Sequence, residues 1–218
     1  MDTKRNIFLW VLYDFANSLV SIVFFLYFAQ WIVVDRGIPD IYFNLTFTIA
    51  AVLLLLTVPI TGFLLDKYLR RITGLRYATI ATVLFYGACA LSAVFNVEVA
   101  ALVFFTLGLY VYLLTFTFYT PLINDISKPE KRGRVSGLGI MANYLGQFTG
   151  LLIVLPFSKG LISIFDSAAR AETLLPAVIA FTILALPLLI WFKEPKRENT
   201  SFKLKTEFHA LKAETKAL

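Results

Sequence analysis

Residues 7–34 read IFLWVLYDFANSLVSIVFFLYFAQWIVV, 28 positions with one charged side chain, Asp14. A run of this length and polarity crosses a bilayer as a helix, because about 20 apolar residues at 1.5 Å rise cover the hydrocarbon core. Lys4 and Arg5 precede it. The run is longer than the apolar region of a signal peptide and has no small-residue cleavage site, so it is expected to remain as a first span.

Five further runs of the same kind follow, near 41–65, 75–95, 98–123, 135–157 and 173–192. With 59% hydrophobic and 16% charged residues and a mean hydropathy of +0.77, the chain has too much apolar surface for one water-facing core. The expected fold is an all-α membrane protein, a six-transmembrane-helix bundle over residues 1–192, followed by a basic tail over 193–218. The connections expected at 35–40, 66–74, 96–97, 124–134 and 158–172 are too short to hold a soluble domain. Lipid is therefore the first partner.

The bases give the orientation. Arg36, Lys159 and Arg170 fall on one side; the other 17 of the 20 Lys and Arg fall on the opposite side, in the N-terminus, the second and fourth connections, the start of the third run at Arg76, and the tail. Loops that retain positive charge stay cytoplasmic, so both termini are expected there. The net charge of +6 belongs with a membrane surface rather than nucleic acid, because the bases are interspersed between spans. In the tail, Leu204, Phe208 and Leu211 recur at helical spacing among lysines after Pro195, the pattern either of an interfacial amphipathic helix or of a solvated basic linker. The one histidine, His209, lies in that tail and is read as inert. The one cysteine, Cys89, sits in an apolar stretch and excludes an intrachain disulfide.

Asp14 is the acid placed well inside a span, about 10 Å along the first helix. Ionisable groups at membrane depth face a bundle interior or an aqueous cavity. Asn17, three residues on, shares that helix side. Asp14 either locks helix packing or serves transport. The fifth span carries Gly137, Gly139, Gly146 and Gly150, with Asn143 and Gln147 among them; small residues permit close helix approach, and the amides are candidates to line a solute path. Charges also cluster in two connections on the basic side: Gly62, Asp66, Lys67, Arg70 and Arg71 in one, Asp125, Arg132 and Arg134 in the other. Their proximity fits a network that forms in one conformation and breaks in another. No metal-ligand spacing, phosphate loop or nucleophile motif is present, so no catalytic residue, metal or cofactor is expected.

Two stretches resemble the major facilitator superfamily, and more narrowly its vacuole-effluxer-like branch of autophagy-related amino-acid exporters. They are WVLYDFANS at 10–18, and Asn124-Asp125 followed by RGRVSGLG at 132–139 and NYLG at 143–146. GFLLDKYLRR at 62–71 is similar to the superfamily's motif between its second and third helices, with Leu69 where that pattern has glycine. The resemblance implies a transporter of small polar solutes, amino acids among them, working by alternating access. It covers an N-terminal six-helix half built of inverted three-helix repeats, which implies a second six-helix bundle or a homodimer as partner; the rival reading is a truncated, non-transporting subunit. It also implies that Asp66 engages the second bundle, that Arg70 or Arg71 pairs with Asp125, and that Asp14, Asn17, Asn143 and Gln147 contact solute or couple its movement. The plasma membrane is the expected location, with a vacuolar-type membrane as the alternative.

Overall fold

A computed structural model of the chain describes residues 3–67 and 70–194, the side chains of 3 and 63–67 excepted. The whole tail beyond Glu194, with Pro195, His209 and the proposed amphipathic stretch, lies outside the described residues, as do the side chains of Asp66 and Lys67. Six helices are long and apolar enough to cross a membrane, and no strand occurs among the described residues. The protein is an integral, multi-pass membrane protein.

Span 1 is an α-helix, Thr3–Val23, prolonged by π-helical stretches at Phe24–Phe28 and Trp31–Asp35. Span 2 is Asp40–Lys67 and span 3 is Arg71–Val94. Span 4 is Glu98–Tyr119, carried on by a 3-10 turn, Thr120–Leu122, and one α-turn, Ile123–Ile126. Span 5 is Pro129–Ser158, and span 6 is Leu174–Trp191 after a 3-10 turn, Ala171–Thr173.

The largest departure from the sequence expectation is on the basic side. The segments 66–74 and 124–134 were expected to be connections, yet span 3 already begins at Arg71 and span 5 at Pro129. Hydropathy ends a span where the charges begin, whereas a helix can continue into the headgroup layer because Lys and Arg reach outward on their long stems. Pro129 fits the first turn, where its missing N–H has no helical partner, and Lys128 before it is extended, at φ −70° and ψ 153°. Span 6 ends at Trp191, before Pro195, as Phe192 turns extended at φ −70° and ψ 127°.

Span 1 packs mainly on spans 5 and 6, span 4 on spans 2 and 3, and span 3 meets span 6. Exchanging 1 with 4, 2 with 5 and 3 with 6 maps this arrangement onto itself. Successive spans joined by short connections alternate in direction, so the two triplets run inverted, the repeat architecture of many transporters. Between spans 1, 3 and 4 the interior is aromatic: Phe24 stacks on Tyr86 at 4.2 Å and Phe28 lies 4.6 Å from Phe105, all four fully buried. Gly108 makes room for that layer, since a Cβ there would stand 2.4 Å from the Tyr86 ring. At the end away from the basic side, Arg36 pairs with Glu98 and Arg170 with Asp35, tying spans 4 and 6 to the end of span 1.

Candidate functional site

At the seam between spans 1 and 5, two glycines bring the helices into close contact. A Cβ at Gly146 would stand 2.3 Å from the Phe15 carbonyl oxygen, and one at Gly150 would stand 2.6 Å from that of Leu19. The G-x-x-x-G spacing therefore allows backbone to meet backbone, as such motifs do in lipid. Two turns nearer the basic side, Gly139 faces the Trp10 ring at 2.8 Å and the Asp14 Oδ2 at 3.1 Å from its would-be Cβ. Gly137, also a candidate for close packing, meets nothing within 4 Å.

Asp14 is half-buried, and its carboxylate points across this seam at Gly139. Asn143 and Gln147 follow one and two turns further along span 5; both are half-buried, and the Gln147 Nε2 donates to the Asn143 Oδ1 at 2.7 Å. Asp14, Asn143 and Gln147 thus lie along one seam, although no hydrogen bond joins the carboxylate to the two amides. Asn17 differs: it is fully buried, its amide N and O atoms are both without a hydrogen-bond partner, and its backbone carbonyl accepts from the Tyr112 hydroxyl at 3.5 Å. A buried unpaired amide costs about 1–3 kcal/mol.

Around Asp14, aromatic groups lock span 1 to its neighbours. The rings of Trp10 and Tyr119 stack at 4.8 Å; the Trp10 Nε1 donates to the Tyr119 carbonyl at 3.3 Å, and the Tyr119 hydroxyl donates to the Trp10 carbonyl at 2.9 Å. Tyr13 and Thr79 share a hydrogen bond of 2.6 Å between spans 1 and 3. None of these partners could be paired from sequence, because Trp10 and Tyr119 are 109 positions apart.

On the basic side, Arg71 pairs with Asp125 at 3.2 Å and also donates to the Pro121 carbonyl at 3.4 Å. Both members are mostly shielded, with 13% and 16% of their side chains exposed, so removing one partner costs more than breaking a surface contact. Arg70 points elsewhere, toward the Glu194 carbonyl at 3.4 Å. Arg134 is exposed and makes no ion pair among the described residues. A Cβ at Gly62 would meet nothing within 4 Å.

The residue that the sequence reading missed is Glu194. It is buried just past span 6, and its carboxylate accepts from the backbone N–H groups of Arg71 and Ile72 at 3.2 and 3.1 Å. Those are free donors at the start of span 3, where a helix N-terminus favours negative charge. Arg76 adds a bond to the Leu189 carbonyl at 2.6 Å. Spans 3, 4 and 6 are thus joined at one point by Arg71, Asp125 and Glu194. The available signal was an acid directly before Pro195 at the end of an apolar run.

A family model described as the Major Facilitator Superfamily matches residues 2–151, from the N-terminus through most of span 5. No curated protein matches the chain. The match covers both charge clusters and the seam between spans 1 and 5, and the chain belongs to the Major Facilitator Superfamily, a family of membrane transporters.

Proposed function

We propose that this chain moves small polar solutes, amino acids in the first place, along the bundle face beside the closed seam of spans 1 and 5, where Asp14, Asn143 and Gln147 lie, in the manner of the vacuole-effluxer-like branch. The observation that carries the proposal is the Asp14 carboxylate, half-buried at membrane depth and aimed at a glycine instead of a counter-ion. Lipid is a poor neighbour for such a group, and so is it for the amides of Asn143 and Gln147. A second bundle, or a second copy of this chain, covers that face and encloses an aqueous path between the two.

In this reading the termini lie in the cytoplasm, and Arg71, Asp125 and Glu194 form the resting part of a cytoplasmic gate. Gly62, Asp66, Lys67, Arg70 and Arg134 complete the gate where the opposing bundle arrives. Asn17 enters the path when span 1 rotates and its unpaired amide gains partners.

The test is uptake of a panel of amino acids, with sugars for comparison, into proteoliposomes containing the purified chain. Saturable uptake of amino acids, competed by other members of the panel, is the expected result. Uptake confined to sugars would refute the solute class, and none above protein-free liposomes would refute translocation by copies of this chain alone and leave a separate second bundle as the required partner.

A further inference from the structure

A crevice of about 790 Å³ opens on the basic side between the start of span 1 and the junction of spans 4 and 5. Four exposed cationic side chains line it: Lys4, Lys128, Lys131 and Arg134. The lining carboxylate, Asp125, is already held by Arg71 at 3.2 Å, and none of the four cations makes an ion pair among the described residues. The crevice therefore presents positive charge without an internal counter-ion.

Its apolar wall is arranged by depth. Ile7 follows Lys4 by three residues on span 1, while Val135 and Leu138 follow Lys131 and Arg134 by four on span 5. Each apolar side chain thus sits about one helical turn, roughly 5 Å, further into the membrane than its cation. Positive charge above and hydrocarbon below is complementary to an amphiphile, and a soluble anion would leave the lower wall unused. Basic pockets between spans at the membrane surface suit the headgroups of anionic lipids.

We propose that this crevice holds the phosphate headgroup of an anionic phospholipid, with the first part of an acyl chain against Ile7, Val135 and Leu138. The lipid joins span 1 to the junction of spans 4 and 5, beside the Arg71–Asp125 pair. This assignment is independent of which solute the chain carries.

Native mass spectrometry of the chain released from nanodiscs of equal phosphatidylglycerol and phosphatidylcholine tests it. The unaltered chain is expected to retain phosphatidylglycerol selectively. Combining Lys128→Gln, Lys131→Gln and Arg134→Gln should lower that retention about tenfold or more, because each base near the surface contributes separately. A control with the same charge removed from the tail, Lys193→Gln, Lys196→Gln and Arg197→Gln, should keep it. Equal loss in both triple variants would reduce the effect to general surface attraction and overturn the site. Should the crevice variant fail to insert, Lys131→Gln alone provides the comparison, and unchanged retention there would also overturn it. Excess inorganic phosphate should leave the lipid bound; complete displacement would assign the crevice to a soluble anion instead.

Discussion

Gly146→Val is expected to destabilise the bundle by about 3 kcal/mol or more, which lowers Tm by about 10 °C in a chain of this size. The reason is the neighbour. A Cβ at position 146 would stand 2.3 Å from the Phe15 carbonyl oxygen, 3.0 Å from its carbon and 3.1 Å from its Cα, all of them backbone atoms. A side chain can change rotamer to relieve such a clash, but a helix backbone relieves it only by moving span 1 away from span 5. That movement would also open the Gly150 contact with Leu19, so relaxation at one glycine weakens the next. Gly137→Ala supplies the control on the same helix: its Cβ meets nothing within 4 Å, and it should leave Tm level or slightly raised through better helix propensity. Thermal melts of both variants in one detergent check the pair, and similar shifts in the two would contradict the close approach of spans 1 and 5.

Asp14→Asn is expected to remove most solute flux, about tenfold or more, while leaving the fold as stable as before or more so. The substitution keeps the shape of the side chain and removes only its charge. No ion pair reaches Asp14 among the described residues, so the change breaks no salt bridge. Its own backbone carbonyl still accepts from the Ser18 hydroxyl at 2.9 Å. Were Asp14 a structural latch, the same substitution would lower Tm, as the loss of a buried charge partner does. Flux and melting temperature on one preparation separate the two roles: lost flux with unchanged Tm supports the transport role, and unchanged flux or a large drop in Tm contradicts it.

The number of spans and their membrane-crossing character were legible because each run is longer than a bilayer core is thick, a constraint that sequence carries directly. The ends of spans 3 and 5 were not, because hydropathy does not register a helix that runs on into the headgroup layer, as at Arg71 and Pro129. Of two adjacent arginines the sequence could not say which meets Asp125. Arg70 is extended, at φ −73° and ψ 132°, and Arg71 is the first helical residue, so their side chains leave in different directions. Glycines at 137 and 146 read alike in sequence, yet one is open and the other touches backbone, a difference set by the facing helix. Asn17 was expected on the polar side of span 1 with Asp14, but three residues along a helix turn a side chain by about 60°, enough here to bury it fully while Asp14 stays half-exposed. Glu194 was invisible as a partner because the donors it caps lie more than 120 positions earlier.

Whether the face beside the seam of spans 1 and 5 borders a water-filled path can be measured at Asn143. The native Cys89 is fully buried, so a cysteine placed at Asn143 meets water-soluble thiol reagents against a silent background. With the chain reconstituted in liposomes, Asn143→Cys is predicted to react with a membrane-impermeant maleimide and to be protected by the solute that the chain carries. A position that reacts only with lipid-soluble reagents, or that no transported solute protects, would contradict the account.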